Sequence, residues 1–162
     1  MTRVGWGADA HRFSADGAVL LGGIVVDNTR GIEATSDGDV VAHALSDALL
    51  GAAALGDLGA HYPSSDRQWE GADSMDILRS VVAMVEAAGL AVTSVDVTVI
   101  AQTVRVAPVR DEIRSALAAA LGVGVATVSV KATTTDGMGF TGTDEGIAAV
   151  AVACLERMAN GE

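Results

Sequence analysis

Apolar residues recur every three or four positions in three parts of the chain, which is the spacing of a helix with one buried face. Each part begins near a serine, an aspartate or a proline and stops at a glycine, and these residues are typical start and stop signals of helices. We therefore predict three helices, within residues 37–56, 73–89 and 108–122. For the first helix we expect Ser36 or Asp37 to be the capping residue.

Four other segments alternate apolar and polar residues or form short runs rich in β-branched residues, and both patterns favour strands. They cover residues 2–9, 92–101, 125–132 and 147–155. A further strand over residues 18–26 is interrupted by Gly22-Gly23, which predicts a bulge or a hairpin. Because helices and strands alternate, we expect a single α/β (α+β) domain over residues 1–162, with a four-stranded sheet and helices on one face. The bare face would need a partner, and self-association into a closed oligomer supplies one.

Composition limits both the core and the class of protein. Hydrophobic residues make up 50% of the chain and aromatic residues only 3%, so the core must be closely packed from small aliphatic side chains. The longest apolar run is shorter than the ~20 residues of a membrane span, and no signal segment opens the chain, so we expect a soluble, cytoplasmic protein without a membrane partner. The net charge of −11 argues against nucleic acid, whose phosphates require clustered Lys and Arg. A phosphorylated ligand would then be held by backbone amides and metal cations.

A possible metal site comes from three residues in two predicted elements. Asp9 and His11 are two positions apart in a strand, so their side chains face the same side. His43 lies in the first helix, in line with Asp39 and Asp47 four residues before and after it. Asp9, His11 and His43 have the composition of an open zinc site, although another divalent transition metal could bind. The alternative is that His11 ends a strand and His43 is an ordinary core histidine with satisfied hydrogen bonds.

Residues 133–142 form a hydroxyl- and glycine-rich loop between two strong elements. Three consecutive threonines, Asp136 and three glycines suit a ring of backbone amides around phosphate oxygens. Asp136 could bind Mg²⁺ that is shared with substrate phosphates. An ordinary hydroxyl-rich turn would have the same composition, and the residues alone leave both interpretations open. Residues 57–72 form a second loop, of a length that is usual for functional loops.

Four motifs together resemble the 2-C-methyl-D-erythritol 2,4-cyclodiphosphate synthase family. They are Gly7-Ala8-Asp9-Ala10-His11, residues 36–59, residues 131–136 and Gly139-Phe140-Thr141-Gly142, and the match runs along nearly the whole chain. The resemblance implies a homotrimer whose sheets pack around a three-fold axis and whose active sites lie between subunits. The implied reaction converts a diphosphocytidyl substrate, 4-diphosphocytidyl-2-C-methyl-D-erythritol 2-phosphate, into the cyclic diphosphate and CMP, a step of non-mevalonate isoprenoid biosynthesis.

The resemblance also implies roles for individual residues. Asp9, His11 and His43 would hold Zn²⁺, and Asp136 would hold Mg²⁺. Thr134 would contact the reacting phosphates, as would Thr35, which stands where the family has histidine. The other implied substrate-binding positions, besides Asp9 and His11, are Ser36, Asp57, Gly59, Tyr62, Asp66, Ala101, Gln102, Arg105, Thr133, Thr135, Phe140 and Thr143.

Two departures from the family pattern keep other functions open. Thr35 replaces a histidine that is thought to stabilise the reacting phosphate, and Thr143 replaces an arginine that helps to bind isoprenoid diphosphates near the three-fold axis. We expect the second change to remove isoprenoid diphosphate binding. A chain with both changes could also be a non-catalytic trimeric paralogue that binds a nucleotide or a metal, or a metal-dependent phosphohydrolase that acts on a related diphosphate.

Overall fold

The computed structural model describes residues 1–158. The strands in this part of the chain are β1 (Thr2–Ser14), β2 (Val19–Leu21), β3 (Ile24–Asp27), β4 (Gly31–Ile32), β5 (Leu90–Ile100), β6 (Val128–Thr133) and β7 (Gly146–Arg157). The α-helices are α1 (Val40–Ala53), α2 (Leu58–His61), α3 (Ser74–Ala87), α4 (Arg110–Leu121) and α5 (Gly139–Gly142). Single 3₁₀ turns lie at Arg67–Trp69, Ala107–Val109 and Val125–Thr127.

The main sheet has the strand order β4-β1-β7-β5-β6. β5 and β6 are parallel and α4 forms the crossover between them, while the other neighbouring strands are antiparallel. The mixed α/β fold was predicted correctly, but the prediction of four strands was wrong because the two-residue strand β4 pairs with the end of β1. β2 and β3 form a separate hairpin, as the two glycines predicted. Residues 125–127, predicted as the start of a strand, form a 3₁₀ turn instead.

The first residue of α1 is set by Asp39, so the prediction of Ser36 or Asp37 as the cap was wrong. The Asp39 carboxylate accepts hydrogen bonds from two amides of the first turn at 3.1 and 3.0 Å. Gly38, with a φ of 72°, turns the chain just before this cap. Asp37 therefore points to the start of α3, where it accepts a hydrogen bond from the Ser74 amide at 3.0 Å. Residues 36 and 37 thus join two helices rather than begin one.

α1 lies directly against β1 because the strand presents glycines to it. A Cβ at Gly5 would lie 1.9 Å from the Ala48 carbonyl oxygen, and a Cβ at Gly7 would lie 2.1 Å from that of Ala44. Such distances allow no side chain, so the helix backbone is as close to the strand as it can be. The core fills the space between the sheet and the helices α1, α3 and α4, as the small aliphatic composition predicted. Because of this packing, the His43 side chain of α1 lies next to Asp9 and His11 of β1.

Among residues 1–158, the other face of the main sheet is left uncovered. Val4 and Trp6 point outward from β1 and are 64% and 66% exposed. Next to them, β7 presents partly buried small and β-branched residues, while β5 and β6 carry the ion pair of Asp96 and Lys131. The sequence predicted this bare face. Among residues 1–158, no helix has both the length and the apolar character that crossing a membrane requires.

Candidate functional site

Asp9, His11 and His43 meet between β1 and α1. The Asp9 Oδ2 atom lies 3.0 Å from His11 Nε2 and 3.0 Å from His43 Nδ1, and the two nitrogens are 3.4 Å apart. Strand alternation places the first two side chains on one face of β1, and α1 supplies the third. One carboxylate oxygen and two imidazole nitrogens form a donor set that could hold a metal ion. The convergence predicted from the sequence is therefore present.

Ser74 holds His43 from the opposite side of the ring. Its Oγ lies 2.9 Å from His43 Nε2, and Ser36 Oγ lies 3.2 Å from the same nitrogen. Ser74 also donates its hydroxyl hydrogen to the carboxylate of Asp37, which has only acceptors to offer when ionised. Because a hydroxyl has one hydrogen, His43 Nε2 must be the donor to Ser74. This leaves Nδ1 as the nitrogen that faces Asp9 and can bind a metal.

Asp9 and His43 each favour the charged form of the other. Burial disfavours the charged form of His43, but the hydrogen bond and the charge of Asp9 outweigh burial and raise the pKa of His43 above its usual value. Burial likewise disfavours the ionised form of Asp9, but His11 and His43 hold the pKa of Asp9 well below its ordinary range. Asp9 is therefore ionised at any physiological pH. A metal ion that binds here at a pH below the pKa of His43 must displace a proton from that ring.

The three side chains form one wall of a cavity of about 300 Å³. The predicted site residues that line it are Asp9, His11, Thr35, Ser36, His43, Gly59 and Tyr62. The rings of Tyr62 and Trp69 pack edge to face beside it, with centroids 4.8 Å apart. Asp47 also lines the cavity and accepts a hydrogen bond from the Leu58 amide at 2.7 Å. Sequence reasoning placed Asp47 in the polar stripe of α1 but missed its place in the site, and it missed Trp69 entirely.

A second cavity, of about 210 Å³, lies between the loop that follows β5 and the end of β6. The predicted site residues that line it are Ala101, Gln102, Arg105, Thr133 and Thr134. It shares no lining residue with the first cavity. Within one chain, the predicted metal ligands and these predicted substrate-binding residues therefore line separate cavities.

Six predicted site residues lie outside both cavities, and two of them, Thr135 and Asp136, belong to the hydroxyl-rich loop. Asp57 and Asp66 cap short helical turns, where their carboxylates accept amide hydrogen bonds at 2.9 and 3.1 Å. Phe140 lines a smaller cavity of about 190 Å³ beside β1. The Thr143 hydroxyl lies 2.9 Å from the Glu145 carboxylate. The structure thus gives Asp57, Asp66 and Thr143 local partners.

The hydroxyl-rich loop is folded onto itself and exposed. Thr135 Oγ1 lies 2.9 Å from Thr141 Oγ1, and the Thr134 hydroxyl donates to Asp136 at 3.0 Å. Asp136 has a φ of 52°, a left-handed conformation that aspartate tolerates better than most residues. Its carboxylate is available to a cation that approaches from outside the chain.

Comparison with known proteins identifies the family of this chain. The YgbB family profile matches residues 2–156. The 2-C-methyl-D-erythritol 2,4-cyclodiphosphate synthase of Stutzerimonas stutzeri is 52% identical over 155 residues, which cover 96% of this chain and 99% of that protein. The protein of the same name from Vibrio vulnificus is 48% identical over 155 residues, with 96% and 98% covered.

Solved structures agree with the sequence relatives. The bifunctional IspDF of Campylobacter jejuni superposes with a TM-score of 0.95 and 37% identity over 98% of this chain, which corresponds to 43% of that longer chain. The complex of Plasmodium falciparum IspF with CDP superposes with a TM-score of 0.85 and 27% identity, over 98% of this chain and 97% of that one. Fold, converging side chains and relatives all agree, and the chain belongs to the YgbB family.

Proposed function

We propose that this protein catalyses the metal-dependent cyclisation of 4-diphosphocytidyl-2-C-methyl-D-erythritol 2-phosphate to 2-C-methyl-D-erythritol 2,4-cyclodiphosphate, with release of CMP. It would act in non-mevalonate isoprenoid biosynthesis, as one domain over residues 1–162. The observation that carries the proposal is the convergence of Asp9, His11 and His43 beside a cavity, in a chain 52% identical to a synthase of that name. The partner is a small molecule rather than a nucleic acid, in keeping with the net charge of −11.

Asp9, His11 and His43 are called the triad below. The distances between their donor atoms fit a divalent transition metal, with zinc as the first candidate. Tetrahedral ligands about 2.0–2.1 Å from zinc lie about 3.3 Å from one another. The donor atoms of Asp9, His11 and His43 are 3.0, 3.0 and 3.4 Å apart, so little movement is needed to bind the ion. A bound zinc would withdraw charge from a phosphate oxygen and make its phosphorus more electrophilic. The exposed Asp136 would hold Mg²⁺ through one carboxylate and leave the remaining positions to phosphates and water.

The side chains around the cavity orient the reacting groups. An oxygen of the 2-phosphate forms a bond to the β-phosphorus of the diphosphate, and the bond from that phosphorus to the bridging oxygen breaks, so that CMP leaves with this oxygen. Thr35 and Ser36 line the cavity beside His43, and their hydroxyls are of the kind that donates to phosphate oxygens. Thr134 can donate to the diphosphate next to Asp136. Together these groups would hold the attacking and leaving oxygens in line with the phosphorus.

We also propose that the active form is a homotrimer, with the bare sheet faces inside and the active sites between subunits. The exposed Val4 and Trp6 support an apolar interface on this face. The separation of the two cavities within one chain is a second reason. We propose that the nucleotide binds in the cavity between the loop after β5 and the end of β6, and a neighbouring subunit would bring this cavity to Asp9, His11 and His43. Sedimentation should give the mass of three chains. A stable and fully active monomer at micromolar concentration would contradict this assembly.

One incubation separates the proposed reaction from its rivals. Purified protein is mixed with substrate, Zn²⁺ and Mg²⁺ and followed by phosphorus NMR, with the His43→Ala variant as a blank. The cyclase produces CMP and a cyclic diphosphate. A phosphohydrolase would give CMP and a linear bisphosphate, and a non-catalytic paralogue, the alternative that Thr35 favours, would give neither product.

A further inference from the structure

Three loops meet in one hydrogen-bonded triangle. Arg30, between β3 and β4, donates Nη1 to Asp144 Oδ2 at 2.7 Å and Nη2 to Thr103 Oγ1 at 2.6 Å. Thr103, in the loop after β5, donates its hydroxyl to Asp144 Oδ1 at 2.8 Å. Asp144 lies in the turn between α5 and β7. Each residue therefore contacts the other two, although they are far apart in sequence.

Arg30 is fixed from outside the triangle. Its Nε donates to Asp27 Oδ2 at 2.9 Å, and its guanidinium carbon lies 3.7 Å from the centroid of the Phe13 ring. The Arg30 side chain is only 20% exposed. Because Phe13 belongs to β1 and Asp27 ends β3, the position of the guanidinium is set by strands. The planar group thus ties two loops to rigid elements.

Asp144 occupies a backbone conformation that glycine would adopt more easily. Its φ is 61°, in the left-handed region. Burial raises the pKa of Asp144, but the hydrogen bonds from Arg30 and Thr103 outweigh burial and lower it, so the side chain is ionised in the triangle. The turn itself would favour glycine at this strained position, so the hydrogen bonds with Arg30 and Thr103 are the reason for a carboxylate there.

Both tethered segments border the cavity of about 210 Å³. The two sequence neighbours of Thr103 line one side of it, and threonines at the start of the hydroxyl-rich loop line the other. The turn that carries Asp144 is joined to that same loop, because Thr141 Oγ1 lies 2.9 Å from Thr135 Oγ1. The contact between Thr103 and Asp144 therefore limits how far the two sides can separate.

We propose that Arg30, Thr103 and Asp144 are positioning residues that fix the width of this cavity for the pyrimidine nucleotide part of the substrate. The inference rests on the proposed function, which places the nucleotide between these loops. None of the three lines the cavity, so they act through the loops they hold. A preset gap reduces the conformational entropy lost on binding, and nucleotide affinity should depend on the triangle more than the chemical step does.

Calorimetric titration with CDP tests the triangle. Asp144→Gly removes the carboxylate and relieves the backbone, and Thr103→Val removes an exposed hydroxyl at nearly constant volume. Each change should raise the Kd of CDP about tenfold, since each breaks a hydrogen bond to a charged group. The KM of the substrate should rise in parallel while kcat changes little. The double variant should bind no more weakly than Asp144→Gly alone, because both changes break the same contact.

Arg79→Met is the matched control. It removes an exposed arginine and its ion pair with Asp76 on α3, and CDP should bind as before. Unchanged CDP affinity in the triangle variants, alongside tight binding by the unaltered protein, would overturn the positioning role and leave the proposed function intact. An equal fall of kcat and affinity, with a lower Tm, would also overturn it by indicating general loss of structure. Failure of the unaltered protein to bind CDP would overturn both proposals.

Discussion

The triad region and the hydroxyl-rich loop differ in how each is supported. His43 is only 9% exposed, and it is fixed by the packing of α1 on β1 and by a hydrogen bond to Ser74. Asp136 is exposed, and its nearest side-chain partner, Thr134, belongs to the same loop. The triad therefore inherits its geometry from the core, whereas the loop takes its shape from local hydrogen bonds. Changes near the triad should alter metal binding and stability, and changes in the loop should alter ligand binding alone.

The largest effect is expected from His43→Ala. Loss of one of three ligands should remove zinc binding and abolish turnover, while the chain stays folded because the core loses no aliphatic contact. Zinc content, CMP release and circular dichroism measure the three outcomes. His61→Ala is the control. The His61 side chain is exposed, and among the described residues its only hydrogen-bond partner is the Leu55 carbonyl. Turnover equal to that of the unaltered protein would refute the metal assignment.

Ser74→Ala tests whether the hydrogen bond behind His43 tunes the metal site. Loss of a partner that orients a ligating histidine typically weakens metal binding 10–100-fold, and we expect an effect in that range on the zinc Kd. Ser46→Ala is the matched control, because Ser46 is also a buried serine but donates to the Ala42 carbonyl at 2.7 Å. If both variants lose the same affinity, the effect comes from core damage and not from His43.

Gly7→Ala probes the contact between α1 and β1. The new Cβ would meet the Ala44 carbonyl, and overpacking of this kind should lower the free energy of unfolding by about 2 kcal/mol. Gly51→Ala, in the same helix but with no atom within 4 Å of its Cβ position, should raise it by roughly 0.5–1 kcal/mol. Urea unfolding of both variants measures the difference. Equal stabilities would mean that the helix can move away from the strand without cost.

Asp136→Asn tests the exposed loop. The Mg²⁺ concentration for half-maximal turnover should rise about tenfold, which corresponds to about 1.4 kcal/mol of binding. The Tm and the zinc content should stay unchanged, because the side chain is exposed and lies outside the cavity that the triad lines. A fall in Tm or in zinc content would show that the two regions are not independent.

The most gradual effect is the pH dependence of zinc affinity. The pKa of His43 is raised, so its proton competes with the metal up to a higher pH than the proton of an ordinary histidine does, whereas the lowered pKa of Asp9 leaves that carboxylate ionised. Below the pKa of His43, competition from this one proton should lower the affinity about tenfold for each unit that the pH falls, and above that pKa this contribution should vanish. Competition with a chelator at several pH values measures this slope. A flat profile would contradict proton displacement at His43.

The sequence was sufficient to predict the family, most of the helices and strands, and the convergence of the triad. Strand alternation placed Asp9 beside His11, and the motif around His43 completed the resemblance that the YgbB match confirmed. The strand count was wrong because β4, with two residues, is too short to show any periodicity. The predicted capping residue of α1 was wrong because Ser36, Asp37 and Asp39 all have side chains that can cap a helix. Only the turn at Gly38 determines which of them does so.

Contacts between distant loops lay beyond sequence reasoning. Ser74 has the sequence context of a helix start, and nothing in that context indicates that its hydroxyl reaches a histidine on another helix. Arg30, Thr103 and Asp144 belong to three irregular segments whose meeting depends on the ends of β3, β5 and β7. Periodicity describes residues within one element, so it carries no information about such meetings.

The glycines of β1 also restrict how this protein can change. No residue is smaller than glycine, so the approach of α1 to the strand at Gly5 and Gly7 is already at its lower limit. Every substitution at either position pushes the helix outward, and with it His43 away from Asp9. Substitution at these two positions can therefore shift this ligand in one direction only. Directed evolution of the metal site would have to work through the ligands and their partners, because the spacing beneath them has no room left to shrink.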